Sequence, residues 1–152
     1  MQCVLCVINF SSVSLSAVRI AIDLAMRYNA RLSILYTYRL LPETYPVTEY
    51  RKKLIQQVKV KFSELEQKLH LNGSLDYDLR TEVGFVSDRV EAFLQHCTVS
   101  MLVIDEHVAF DANEWGTAGL HEFMHRTGIP VLIVPERVET GNGAYNFTGG
   151  GV

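Results

Sequence analysis

Short apolar runs alternate along this chain with longer stretches of helical period, the pattern of a parallel sheet whose strands lie beneath helices on both faces. Cys3 to Ile8 predicts the first strand. Ser11 and Ser12 offer hydroxyl caps to a helix running to about Tyr28. In it Arg19, Asp23 and Arg27 repeat on the solvent side, opposite Val18, Ala21, Ile22 and Ala25. Arg31 to Tyr38 predicts the second strand. A loop holding Pro42 and Pro46 leads to a helix from about Thr48 to Leu71, with Leu54, Val58, Phe62, Leu65 and Leu69 at helical spacing and Asn72 and Gly73 as its stop. Leu75 to Val83 reads as the third strand, and Ser87 is placed to cap a third helix whose Val86, Val90, Phe93, Leu94 and Cys97 face inward. Met101 to Ile104 is the fourth strand. A polar loop from Asp105 to about Gly116 precedes a fourth helix, ended by Gly128 and Pro130, and Val131 to Val134 is the fifth strand. Strict alternation of strand and helix predicts right-handed crossovers and a doubly wound α/β fold, Rossmann-like, over residues 1–137. Residues 138–152 carry half of the ten glycines. Asn142-Gly143 there is a hairpin signal, and a disordered tail is the alternative.

Composition narrows the function classes. The 152 residues, 48% apolar and 20% charged, suit one domain with a core large enough to fold without disulfide or metal. A net charge of -3, with no run of five like charges, argues against a nucleic-acid binder. No apolar run approaches the roughly 18 to 20 residues that span a bilayer, and the N-terminus has no basic region or cleavage signature. Three cysteines are too few and odd in number for a disulfide framework, which suits the cytoplasm. Cys3 and Cys6 spell C-x-x-C, but residues three apart on a strand face opposite sides, so a redox pair is not expected.

One catalytic signature must be weighed. His121-Glu122-Phe123-Met124-His125 spells H-E-x-x-H, in which two histidines one turn apart bind zinc and the glutamate activates its water. The further ligand position of the longer metzincin pattern holds Val131. The inward stripe Leu120, Phe123, Met124 and Thr127 leaves both histidines on the outer flank of the helix, away from any cleft. The expectation is therefore no catalytic metal, with a zinc hydrolase kept as an alternative. His96 beside Cys97, and His107 beside Asp105, lack an evident catalytic arrangement.

The segment N-F-S-S-V-S-L-S-A-V-R-I-A-I-D-L-A, Asn9 to Ala25, resembles the opening of the universal stress protein (UspA-like) family. Phe10, Ser11, Ser14, Ala17, Ala21, Leu24 and Ala25 fit its pattern without gaps. N-A-R-L-S-I-L-Y, G-F-V-S-D-R-V-E-A-F, M-L-V-I-D and T-G-I-P-V-L-I-V-P resemble later family blocks in the same order. The resemblance implies a five-stranded parallel sheet of order 3-2-1-4-5, of the adenine nucleotide alpha hydrolase-like type, in a cytoplasmic homodimer. That order puts Val131, Leu132, Ile133 and Val134 at an edge, where a two-fold mate would cover an apolar strand.

The chain departs from the family where nucleotide-binding members carry G-x2-G-x9-G followed by Ser or Thr. Glycines there let phosphates approach backbone amides. Asp105 stands at the first glycine position, His107 or Val108 at the second, and Thr117, or Gly116 if shifted, at the third, so that only Gly116-Thr117 survives as a phosphate hook; Asn9 replaces the family's aspartate after the first strand. Asp105, Glu106, Asp111 and Glu114 place four carboxylates in that loop. Two unit charges about 4 Å apart at an effective dielectric near 20 repel by about 4 kcal/mol, so a triphosphate is disfavoured. The expectation is a non-enzymatic stress-response or interaction protein without ATP. The alternative is ATP held by Gly116-Thr117 with a divalent cation such as magnesium. Asn9, Phe10, Tyr36, Tyr38, Asp105, Gly116 and Thr117 are expected to line a crevice at the strand ends. A neutral or cationic small ligand, or a protein partner, would suit it better than an anion.

Overall fold

The computed structural model describes residues 2–40, 47–71 and 73–136. Five strands, β1 (Cys3–Ile8), β2 (Arg31–Tyr38), β3 (Tyr77–Val83), β4 (Val99–Asp105) and β5 (Val131–Val134), form one parallel sheet of order β3-β2-β1-β4-β5. Strand β1 is buried at all six positions because both faces are covered. Alternation sends Val4, Cys6 and Ile8 towards α1 (Ser12–Arg27) and α2 (Val47–Lys68). Cys3, Leu5 and Val7 go to the opposite core with α3 (Val86–Leu94) and α6 (Gly119–Thr127). The two thiols of the C-x-x-C therefore lie in different cores, and Cys3, Cys6 and Cys97 are free. Burial pushes the Cys6 thiol pKa well up, and the neighbouring Asp105 charge adds to the rise.

Local chemistry explains most helix ends. The Ser14 amide donates to Ser11 Oγ at 3.2 Å, so Ser11 caps α1 as expected. On the solvent side of that helix Arg27 and Asp23 pair at 2.9 Å. Gly128 at φ +70 ends α6 in the left-handed conformation that a Cβ would strain. Two expectations are corrected. Ser87 does not cap α3: Phe85 stands at that position with no side-chain capping bond, and the Val86 amide instead finds a carboxylate from a distant loop. The backbone after α2 turns left-handed at His70, φ +53, ahead of Gly73; Asn72 lies outside the described residues.

The polar loop after β4 is also corrected, since it folds into two single turns, α4 (Glu106–Ala109) and α5 (Ala112–Trp115). Asp105 and Asp111 each cap one of them, accepting from the amides of Val108 at 3.0 Å and Asn113 at 2.9 Å. Val108, Ala109 and Trp115 are buried, and the Trp115 indole donates to the Val108 carbonyl at 2.8 Å. Four-residue helices are too short to display a period in sequence. The hairpin signal at Asn142-Gly143 lies outside the described residues, and among those described no helix is long and apolar enough to cross a membrane.

Candidate functional site

In this strand order the direction of winding reverses between β1 and β4, so their C-terminal ends flank the position where open α/β sheets bind ligands. Asn9 leaves β1 there and Asp105 ends β4. The Asn9 side chain accepts from the Ser11 amide at 3.0 Å, folding the β1–α1 connection back on itself. Ser14 then reaches in from the first turn of α1. Its hydroxyl lies 2.7 Å from Asn9 Oδ1 and 2.5 Å from Asp105 Oδ2, and accepts from the Asn9 amide at 3.0 Å. Asp105 is fully buried and Ser14 nearly so. The space between Asn9 and Asp105 is thus closed by one serine hydroxyl.

Both carboxylate oxygens of Asp105 have a partner within the protein. One carboxylate oxygen takes the Ser14 contact and the other caps α4, and neither is among the unpartnered buried atoms of the described residues. The other three acids of the loop are also engaged. Glu106 accepts from the Glu136 amide, and Asp111 caps α5. Glu114 pairs with Arg39 at 2.9 Å and accepts from the Val86 amide at 3.0 Å. The Arg39 guanidinium stacks 3.9 Å above the Phe85 ring. Glu114 therefore latches α5 to the end of β2 and the start of α3. The four carboxylates expected to repel a triphosphate are not idle in the fold: each has a protein partner, a backbone amide or a hydroxyl, and Glu114 has a cation as well. His107, paired in the sequence reading with Asp105, instead meets Glu136 at 2.9 Å.

The other expected crevice residues divide. Phe10 adopts φ +64, uncommon for a bulky residue, and its ring packs 4.8 Å from Tyr36 and 5.0 Å from Phe62. These aromatic contacts hold the strained backbone in place and draw Phe10 towards α2. The cleft beside it, about 300 Å³, is lined by Phe10, Ser11, Ser14, Lys61, Glu64 and Lys68, with Asp105 and Gly116 outside its lining. Burial raises the Tyr36 pKa, with a smaller rise from Tyr50. Tyr38 is buried at the end of β2. Gly116, φ +78, and Thr117 are exposed before α6, with no hydrogen bond to the Asn9–Asp105 group among the described residues. Ser14 is the residue missed by the site reading, although its place in the Asn9 to Ala25 block was visible.

His121 and His125 are exposed on α6, as the inward stripe implied. Glu122 lies against Arg126 at 3.4 Å, and Arg126 also pairs with Glu91 of α3 at 2.6 Å. Among the described residues no group of three or more His, Cys, Asp or Glu is placed to hold a metal.

Comparison with known proteins bears on this site. The family model described as the universal stress protein family matches residues 1–135. Among solved structures, a universal stress protein UspA from Lactobacillus plantarum is similar at 16% identity and a TM-score of 0.66, covering 88% of this chain and 97% of that one. The hypothetical protein MJ0577 is similar at 15% identity and a TM-score of 0.68, covering 90% and 97%. A universal stress protein in complex with cAMP is similar at 22% identity and a TM-score of 0.62, covering 88% and 96%. No curated protein sequence matches the chain.

Proposed function

Because this chain belongs to the universal stress protein family, we propose that it acts as a dimeric, cytoplasmic stress-response or interaction protein, not an enzyme, that does not bind ATP. The observation that carries this reading is the burial of Asp105. Its carboxylate bonds Ser14 and takes the Val108 amide, where a phosphate-binding loop would present free amides and glycines. A triphosphate placed over β4 would have to displace those bonds. The dimer reading draws on β5, which lies at the sheet edge with Val131, Leu132 and Ile133 only partly buried in one chain. Free thiols in both cores suit a reducing compartment.

A second reading has a specific observation behind it. α6 begins at Gly119, which like Gly116 before it has a positive φ, and Ala118 at its N-cap position makes no side-chain capping bond. A nucleotide with one phosphate charge asks less of such a helix start than ATP does, and one structural relative is described in complex with cAMP. Calorimetric titration with Mg-ATP and, separately, with cAMP distinguishes the readings. No ATP binding tighter than about 1 mM is expected. An ATP dissociation constant below about 100 µM would overturn the first reading, and micromolar binding of cAMP alone would favour the second.

A further inference from the structure

The H-E-x-x-H segment is unused by the function proposed above, and its two histidines have a chemistry of their own. His121 and His125 stand one turn apart on the exposed side of α6, with ring centroids 5.0 Å apart and ring planes inclined at 66°. Residues four apart on a helix project side by side. Among the described residues neither ring has a hydrogen bond or ion pair to give up. Imidazole nitrogen favours Cu2+, Ni2+ and Zn2+ over Mg2+ and Ca2+, which prefer oxygen. Bringing one nitrogen of each ring to about 2.0 to 2.1 Å from a single ion needs only rotation of two exposed side chains.

The geometry points to a two-imidazole surface site on α6, formed by His121 and His125, that takes a borderline divalent transition metal and clamps one turn of the helix. Water completes the coordination. The site is not catalytic, because Glu122 is held by Arg126, and Arg126 is anchored to Glu91 across the α6–α3 contact. Tethering the second imidazole beside the first raises affinity over a single histidine by about 100-fold. Selectivity follows the order of divalent ions, with Cu2+ bound more tightly than Zn2+.

The test uses the full chain, freed of metal with a chelator and titrated with Cu2+ and with Zn2+ by calorimetry, alongside electron paramagnetic resonance of the Cu2+ form. One ion per chain and two coupled imidazole nitrogens are expected. His121→Gln and His125→Gln should each weaken binding by about 100-fold, while His96→Gln and His107→Gln leave it unchanged. Both altered positions are exposed, so circular dichroism should report an intact fold. Binding weaker than about 1 mM, affinity indifferent to His121→Gln and His125→Gln, or coupling to one nitrogen only would overturn the assignment.

Discussion

Replacing Ser14 with alanine removes one oxygen and separates two readings of the β1–β4 junction. If the hydroxyl is what satisfies buried Asp105, its loss strands a buried carboxylate oxygen. A hydrogen bond to a charged group contributes about 1.5 to 3 kcal/mol, and alanine returns about 0.5 kcal/mol in helix propensity. The Asn9 amide, which donates to Ser14 Oγ, also loses its acceptor. The net expected cost is about 2 kcal/mol, or a fall in Tm of about 4 to 8 °C for a chain this size. Urea unfolding followed by circular dichroism measures it, with Ser16→Ala, on the exposed side of α1, as the control. Asp105→Asn sharpens the test, because Ser14 has one proton and faces oxygens of both Asn9 and Asp105. An amide at 105 could donate to Ser14 Oγ, freeing the hydroxyl proton for Asn9, while its oxygen still caps α4. Asp105→Asn should therefore cost less than about 1 kcal/mol and Asp105→Ala more than about 2. A Ser14→Ala loss below about 0.5 kcal/mol, matching the control, would refute the account of Asp105 as satisfied through Ser14.

Glu114→Ala removes the Arg39 ion pair and the Val86 amide contact together and should cost about 1 to 2 kcal/mol in urea unfolding; an effect indistinguishable from zero would mean that the latch adds nothing. Light scattering after size-exclusion chromatography should find a dimer; a monomeric protein would end the dimer reading. The thiols of Cys6 and Cys3 have folded pKa values raised by burial above the ordinary 9.0, so the folded state holds protons that the unfolded chain releases. Stability should be level with respect to these groups below about pH 9 and fall as pH rises beyond it, with Tyr36 and Tyr77 adding to the fall above about pH 10. Cys6→Ala, though less stable at neutral pH, should show a shallower decline between about pH 9 and 11; an identical slope would refute the assignment.

The sequence alone determined the alternation of strands and helices, the inward stripes of α1 and α6, the Ser11 cap and the Gly128 stop. Each depends on neighbours within a turn or two, where periodicity and capping chemistry act directly. It also placed the side chain of Asp105 where the family resemblance puts a phosphate-binding glycine. Only the tertiary structure decided how the acidic loop is used. Ser14 meets Asp105 across 91 positions, Glu114 reaches Arg39 across 75 and the Val86 amide across 28, and Glu106 takes the Glu136 amide across 30. A carboxylate in sequence is a charge awaiting a partner, and its partner is set by which strand ends the sheet order brings together. β1 and β4 are neighbours in that sheet with β2 and β3 on the far side, so the ends of β1 and β4 share one buried hydroxyl, to which Asp105 is bonded.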